Sequence, residues 1–136
     1  MLIGRSGCGK TTLVQAVNKF DKVYIKTQAM EFHPNMIDTP GEYIENRLYY
    51  KALIVTSADC DIIALVQSLT DEECIFPPNF ASVFPKPVIG IITKTDSQPS
   101  KLAGAVKCLE ISGVQNVYNT SAFTVNGIEA LRKLLE

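Results

Sequence analysis

Two unbroken apolar runs, Ile62-Ile63-Ala64-Leu65-Val66 and Val88-Ile89-Gly90-Ile91-Ile92, dominate the hydropathy pattern. Neither alternates with polar residues, as a strand with one wet face would. Both therefore read as parallel strands covered on both sides. Around them the period changes to that of helices. Leu13, Ala16, Val17 and Phe20 share one side of a predicted helix from Lys10 to Lys19. Leu48, Ala52 and Val55 do so between Asn46 and Ala58, and Leu102, Val106 and Leu109 further on. Gly104 weakens that third helix by about 1 kcal/mol relative to alanine. A last helix is predicted after Asn126 as cap, with Glu129 three residues on and Ile128, Leu131 and Leu135 as its stripe. Shorter extended stretches fall at Leu2-Ile3, 22–26, 29–33, Met36-Ile37 and Val117-Tyr118. Pro77, Pro78, Pro85 and Pro87 forbid a long helix between the two apolar runs. Strands alternating with helices predict a three-layer α/β fold: a mostly parallel sheet with helices on both faces.

Composition narrows the class. A length of 136 residues suits one domain, 1–136, and 46% hydrophobic residues suffice for its core. With a net charge of −1, neither nucleic acid nor a membrane surface is expected as a partner through bulk charge. Lys19, Lys22 and Lys26 gather early, but Asp21 and Glu31 dilute them into a solvated face. Cys8, Cys60, Cys74 and Cys108 form no CxxC pair, and His33 is the sole histidine. Neither a zinc site nor a disulfide framework is expected; reduced thiols in a cytoplasmic protein are. No signal peptide or long apolar span occurs, which disfavours export and membrane spanning. Only Met1-Leu2-Ile3 precede Gly4. Either the chain begins earlier or the first strand is unusually short, with a less well anchored sheet centre as the consequence.

The chemistry enters with Gly4-Arg5-Ser6-Gly7-Cys8-Gly9-Lys10-Thr11, which fits G-x-x-x-x-G-K-[ST] at every fixed position. Its glycines let successive amides converge on one anion, and the following helix adds its positive end. Thr12, next in that helical turn, and Thr93 further on are counted with the nucleotide-binding residues. Lys10 is placed to reach β- and γ-phosphates, and Thr11 to offer a hydroxyl to Mg²⁺. Asp38-Thr39-Pro40-Gly41 follows the Met36-Ile37 strand. There Asp38 can hold Mg²⁺ through water, and the Gly41 N–H can meet a γ-phosphate. Thr27 lies in the connection before that strand. It either closes over Mg²⁺ when a γ-phosphate is present or faces solvent.

Thr93-Lys94-Thr95-Asp96 ends the second apolar run. A carboxylate here accepts from N1–H and the N2 amine of guanine, a donor pair that adenine lacks. Lys94 can lay its stem along the ring. Thr120-Ser121-Ala122 follows the last strand, where the Ala122 N–H can donate to guanine O6. Glu42 stands where a water-orienting residue is expected. Either it polarises water while repelling the γ-phosphate, or it is a turn residue facing solvent. Arg5 either adds charge to a transition state in cis or stays a surface arginine. Cys8 is either a thiolate at a helix N-terminus or a small residue that fits. His33 ends a strand. Phe76 to Phe84 holds three phenylalanines, to be read as a docking patch or as filler beneath a loop.

In order, these motifs resemble the small and translation-factor-related GTPases. More specifically, Gly4 to Leu13, Lys26-Thr27-Gln28-Ala29, Ile37 to Tyr43, Ala64-Leu65-Val66-Gln67-Ser68 and Phe76-Pro77-Pro78-Asn79-Phe80-Ala81 are similar to the EutP/PduV family. The resemblance spans nearly the whole chain. It implies a bacterial cytoplasmic protein serving ethanolamine or 1,2-propanediol breakdown beside microcompartment shells; a shell protein or enzyme is the partner expected if the Phe76 to Phe84 segment is exposed. It also implies an ATP-dependent acetate kinase activity, which conflicts with the guanine reading of Asp96. Three functions follow: a slowly hydrolysing switch with GTP and Mg²⁺, an ATP-dependent acetate kinase, and a structural adaptor that merely carries nucleotide.

Overall fold

The structure, a computed structural model, describes residues 1–17, 30–33, 36–71, 73–96, 99–121 and 127–135. Its strands are β1 (Leu2–Ile3), β2 (Glu31–His33), β3 (Met36–Asp38), β4 (Ile63–Ser68), β5 (Val88–Thr93) and β6 (Val117–Asn119). Its α-helices are α1 (Lys10–Val17), α2 (Glu42–Glu45), α3 (Tyr50–Thr56), α4 (Leu102–Ile111) and α5 (Ile128–Leu135). The sheet runs β2-β3-β1-β4-β5-β6. All its pairings are parallel except β2 with β3 at one edge.

The unbroken apolar runs become β4 and β5, in register from Ile63 opposite Val88 to Ser68 opposite Thr93. Successive side chains serve opposite faces. Ile63 and Leu65 pack with Ile3 and Ile92 against Ile44 of α2, Leu53 of α3 and Leu109 of α4. Ala64 and Val66 pack with Leu2, Ile89 and Ile91 against Leu13 of α1 and Ile128 and Leu131 of α5. β1 is short, yet it lies between β3 and β4, and both its residues are buried. This geometry brings the C-terminal ends of β3, β4 and β5 beside the loop that leaves β1, the crevice where open α/β sheets take their ligands.

Two sequence expectations need correction. The helix predicted over 46–58 is broken: α2 comes first, then 3₁₀ turns at Arg47–Tyr49 and Ser57–Asp59 flank α3. Asn46 is extended (φ −126°, ψ 119°) and its side chain accepts from the Leu48 N–H, which resets the helical phase. Leu53 and Ile44 therefore carry the burial, while Leu48 and Val55, predicted to face inward, are 85% and 64% exposed. The expectation of four reduced thiols also fails, because Cys74 and Cys108 are joined in a disulfide. Their spacing follows no local pattern, so only the packing of α4 against the loop after β4 brings them together.

Phe76, Phe80 and Phe84 are all buried. Phe80 meets Phe84 and Tyr50 edge-on, and the group fills the α4-side core beneath a proline-rich loop. The docking-patch reading of these rings is thereby excluded. Residues 22–26 and Asn126 lie outside the described residues, as do Lys19, Lys22 and Lys26.

Candidate functional site

The loop from Gly4 to Gly9 joins β1 to α1. Gly7 and Gly9 take φ values of 79° and 101°, a region that side-chain-bearing residues rarely adopt. The loop is tied from β5: the Thr93 hydroxyl donates to the Cys8 carbonyl, and Lys94 Nζ donates to the Gly7 carbonyl at 2.9 Å. Thr93 is buried, so it anchors the loop from beneath rather than facing a base. Lys10 is 5% exposed, with Nζ 2.8 Å from Gly4 O and 3.3 Å from Arg5 O. Its ammonium thus stands against the loop's own carbonyls. Cys8 is buried in the α1-side core, and burial pushes its thiol pKa up against the opposing influence of Lys10. The thiolate reading of Cys8 is corrected accordingly; it is a packing residue. Thr12 is half-buried in the first turn of α1.

At the end of β3, Asp38 is fully buried, and Thr11 Oγ1 donates to its Oδ2 at 2.8 Å. Thr39 Oγ1 donates to Leu2 O at 2.7 Å and holds this strand end to β1. One hydroxyl and one carboxylate, both hard oxygen donors, fit a small divalent cation that keeps waters or phosphate oxygens as its other ligands. Thr27, the other metal-ligand candidate, lies outside the described residues. Gly41 sits so tightly on the loop that a Cβ there would overlap the Ser6 amide. Glu42 follows as an exposed residue in the first turn of α2, which agrees with the solvent-facing reading.

Two acidic residues at this end escaped the sequence reading. Glu45 Oε1 accepts from the Ser6 N–H at 3.2 Å and lies 4.0 Å from Arg5 Nε. A carboxylate oxygen thus occupies one loop amide. Asp71, in the loop after β4, lies near Arg5 and Lys94. Partial burial raises its carboxyl pKa, and those two cations pull it back. The signal for Glu45 was its place one helical turn after Gly41; nothing in the sequence marked Asp71.

At the far end, Ser121 Oγ donates to Asp96 Oδ1 at 2.8 Å, and Asp96 is exposed. The Thr95 N–H and hydroxyl donate to Thr120 O at 3.2 and 2.9 Å. The Thr120 N–H and hydroxyl in turn donate to Ile92 O at 2.7 and 3.0 Å. The two strand-end segments are laced together, and an aimed carboxylate is presented to solvent. Ala122 lies outside the described residues. The Gly4-to-Thr11 loop, Asp38, Gly41, Lys94, Asp96 and Ser121 thus lie at or follow the C-terminal ends of β1, β3, β5 and β6. Beside them, a groove of about 650 Å³ runs between the 67–74 segment and α4, lined in part by Gln67, Asp71, Lys101 and Lys107. Among the described residues no helix is long and apolar enough to cross a membrane, and no cluster of three His, Cys, Asp or Glu could hold a metal.

Comparisons with known proteins agree with this layout. Among solved structures, Era in complex with MgGDPNP and nucleotides 1506–1542 of 16S ribosomal RNA superposes with a TM-score of 0.65 at 17% identity. An Aquifex aeolicus Era variant bound to GDP.AlF4− gives 0.64, also at 17% identity. Both matches cover 98% of this chain but 54% of theirs, so the chain spans about half the length of those structures. The likeness establishes the fold, a mostly parallel sheet with helices on both faces. In sequence, the chain is 42% identical to "Propanediol utilization protein PduV" of Citrobacter freundii, over 96% of this chain and 88% of that one. It is 36% identical to "Probable acetate kinase EutP" of Escherichia coli K12, over 83% of this chain and 72% of that one. Residues 1–136 match the family described as "Ethanolamine utilisation - propanediol utilisation", and the chain belongs to that family, PduV-EutP.

Proposed function

We propose that residues 1–136 form one guanine-nucleotide-binding domain that takes GTP with Mg²⁺, hydrolyses it slowly, and serves ethanolamine or 1,2-propanediol breakdown in the bacterial cytoplasm. The observation that carries the reading is the Ser121–Asp96 hydrogen bond of 2.8 Å. It fixes one carboxylate oxygen and so aims the group at the N1–H and N2 edge of a guanine. Lys94 supports the ring with its stem while its ammonium holds the Gly7 carbonyl. Loop amides from Ser6 to Lys10 cradle the phosphates, and Lys10 turns from Gly4 O and Arg5 O toward them. Thr11 and Asp38, with Thr27 when triphosphate is present, hold the cation. When bound, Mg²⁺ neutralises charge on the β- and γ-phosphate oxygens. The Gly41 amide meets the γ-phosphate, and Glu45 must leave the Ser6 amide for phosphate to approach. GTP and GDP states thereby differ in the segment that runs on to exposed Leu48 and Val55, which a shell protein or enzyme of the microcompartment reads.

Glu42, the residue after Gly41, carries a carboxylate and faces solvent, so no amide side chain stands there to orient the attacking water and hydrolysis is slow. Single-turnover GTP hydrolysis without any partner is expected well below about 1 s⁻¹. Rates of several per second would overturn this part of the reading.

A second reading, an ATP-dependent acetate kinase, is favoured by one observation: relatives at 34–36% identity carry the name "Probable acetate kinase EutP". Parallel titration with GTP and ATP separates the two. A strong GTP preference that Asp96→Ala abolishes supports the switch. ATP preference with acetate-dependent release of ADP supports the kinase. Equal partner binding in the GDP and GTP states would leave an adaptor.

A further inference from the structure

The disulfide between Cys74 and Cys108 joins two elements that are 34 residues apart in sequence, with Cα atoms 5.7 Å from each other. Cys74 sits on the loop after β4 and is exposed; Cys108 lies in the last turns of α4 and is 8% exposed. The remaining cysteines form no disulfide: Cys8 is buried, and half-buried Cys60 donates to Ser57 O at 3.2 Å. Hydrogen bonds also hold the loop: at its root Leu69 N–H donates to Thr93 O at 3.0 Å and Asp71 N–H to Ser68 O at 3.1 Å, and beside Cys74 a single bond runs from Gln67 Nε2 to Glu73 O at 3.3 Å. The disulfide is the covalent tie that carries this loop across to α4, and it forms one wall of the 650 Å³ groove.

We propose that Cys74 and Cys108 are a reversible thiol–disulfide site, with Cys74 the attacking thiol and Cys108 the resolving one, whose state locks or frees that wall of the groove. The argument is one of access. Exchange requires in-line approach of a thiolate to sulfur, so the exposed member reacts with the outside and the buried member reacts only with its neighbour. The oxidant is a low-molecular-weight disulfide, RSSR. Cys74 thiolate attacks one sulfur, forms a mixed disulfide and expels RS⁻. Cys108 thiolate then attacks Cys74 sulfur and expels the second RS⁻. In sum, two protein thiols are oxidised, one RSSR is reduced to two RSH, and the thiol protons pass to the departing thiolates. Reduction by excess RSH retraces these steps from the exposed sulfur, which keeps the bond labile. The inference goes beyond the nucleotide reading and stands without it.

The test equilibrates the full chain at graded ratios of reduced to oxidised glutathione, then traps every free thiol by alkylation in denaturant and weighs it. The alkylated count should fall from four to two as the ratio turns oxidising, and peptide mapping should assign the protected pair to Cys74 and Cys108. Cys108→Ser should accumulate a single glutathione on Cys74, and Cys74→Ser should form an adduct on Cys108 at least about tenfold more slowly. Amide exchange over 69–74 should rise about tenfold on reduction of the unmodified chain. A pair that stays alkylatable at every ratio, or protected at every ratio, overturns the proposal. So does an adduct that favours Cys108, or exchange over 69–74 that ignores the redox state.

Discussion

Asp96 contributes through what it touches on both sides. Its Oδ1 already accepts from Ser121, while the group remains exposed to a ligand. Asp96→Ala removes a charge-assisted acceptor for two guanine donors, worth about 1.5–3 kcal/mol. GTP affinity should then fall about 10- to 100-fold while ATP affinity stays level, as read by titration calorimetry. Equal losses for both nucleotides would remove Asp96 from base selection. Asp71 offers a prediction of opposite kind. Burial raises its carboxyl pKa despite Arg5 and Lys94, so the folded state holds a proton more tightly than the unfolded chain does. Between the ordinary carboxylate pKa and the raised one, stability therefore declines as pH rises, and at neutral pH the ionised group is a net cost. Asp71→Asn should raise the melting temperature at pH 7 by on the order of a degree or two, and the gain should vanish below the ordinary carboxylate range. A destabilised variant at pH 7 would mean that attraction to Arg5 and Lys94 outweighs burial. Lys10, Thr11, Asp38 and Asp96 were legible in the sequence because each follows a fixed backbone motif. Glu45 and Asp71 were not, because their approach to Ser6 and Arg5 depends on helix phase and loop path, which no spacing rule records.

At the scale of elements, β5 organises the site more than its apolar run suggested. Its last residue, Thr93, holds the β1–α1 loop through the Cys8 carbonyl, and the next, Lys94, holds the Gly7 carbonyl. Strand and phosphate loop thus form one unit, with buried Thr93 supporting the loop from beneath. Thr93→Val keeps the shape and removes the hydroxyl, leaving a buried carbonyl without that donor at a cost of about 1–3 kcal/mol. Urea denaturation should show that loss, with nucleotide affinity lowered alongside it. An unchanged midpoint would mean the loop holds itself. Both β4 and β5 were legible because a strand covered on both faces must be apolar throughout. The helical region after Gly41 was misread because Asn46 interrupts it: one extended residue shifts the inward stripe from Leu48 and Val55 to Ile44 and Leu53. A capping side chain that satisfies the Leu48 amide outweighs the apolar period there.

Across the whole molecule, two apolar layers enclose the sheet, and the α4-side layer lacks a long helix between β4 and β5. Phe76, Phe80 and Phe84 fill that space from a proline-rich connection, and the disulfide ties the start of this connection to α4. Cross-linking residues 34 apart restricts the unfolded chain, and the loop-closure relation gives about 3.8 kcal/mol for a loop of that size. Reductant should therefore lower the unfolding free energy by about 2–4 kcal/mol in urea, a large share of the roughly 5–15 kcal/mol typical of domains. The denaturant slope should steepen as well, because an unfolded chain without the tie exposes more surface. Cys74→Ser should match the reduced protein and ignore reductant, which separates loss of the bond from any other effect of the reagent. If the free energy does not move while the bond is cleaved, then packing of the three phenylalanines under the connection holds this side of the sheet by itself. The tie would then govern only the local opening of the groove, and the stability of the fold would be independent of redox state.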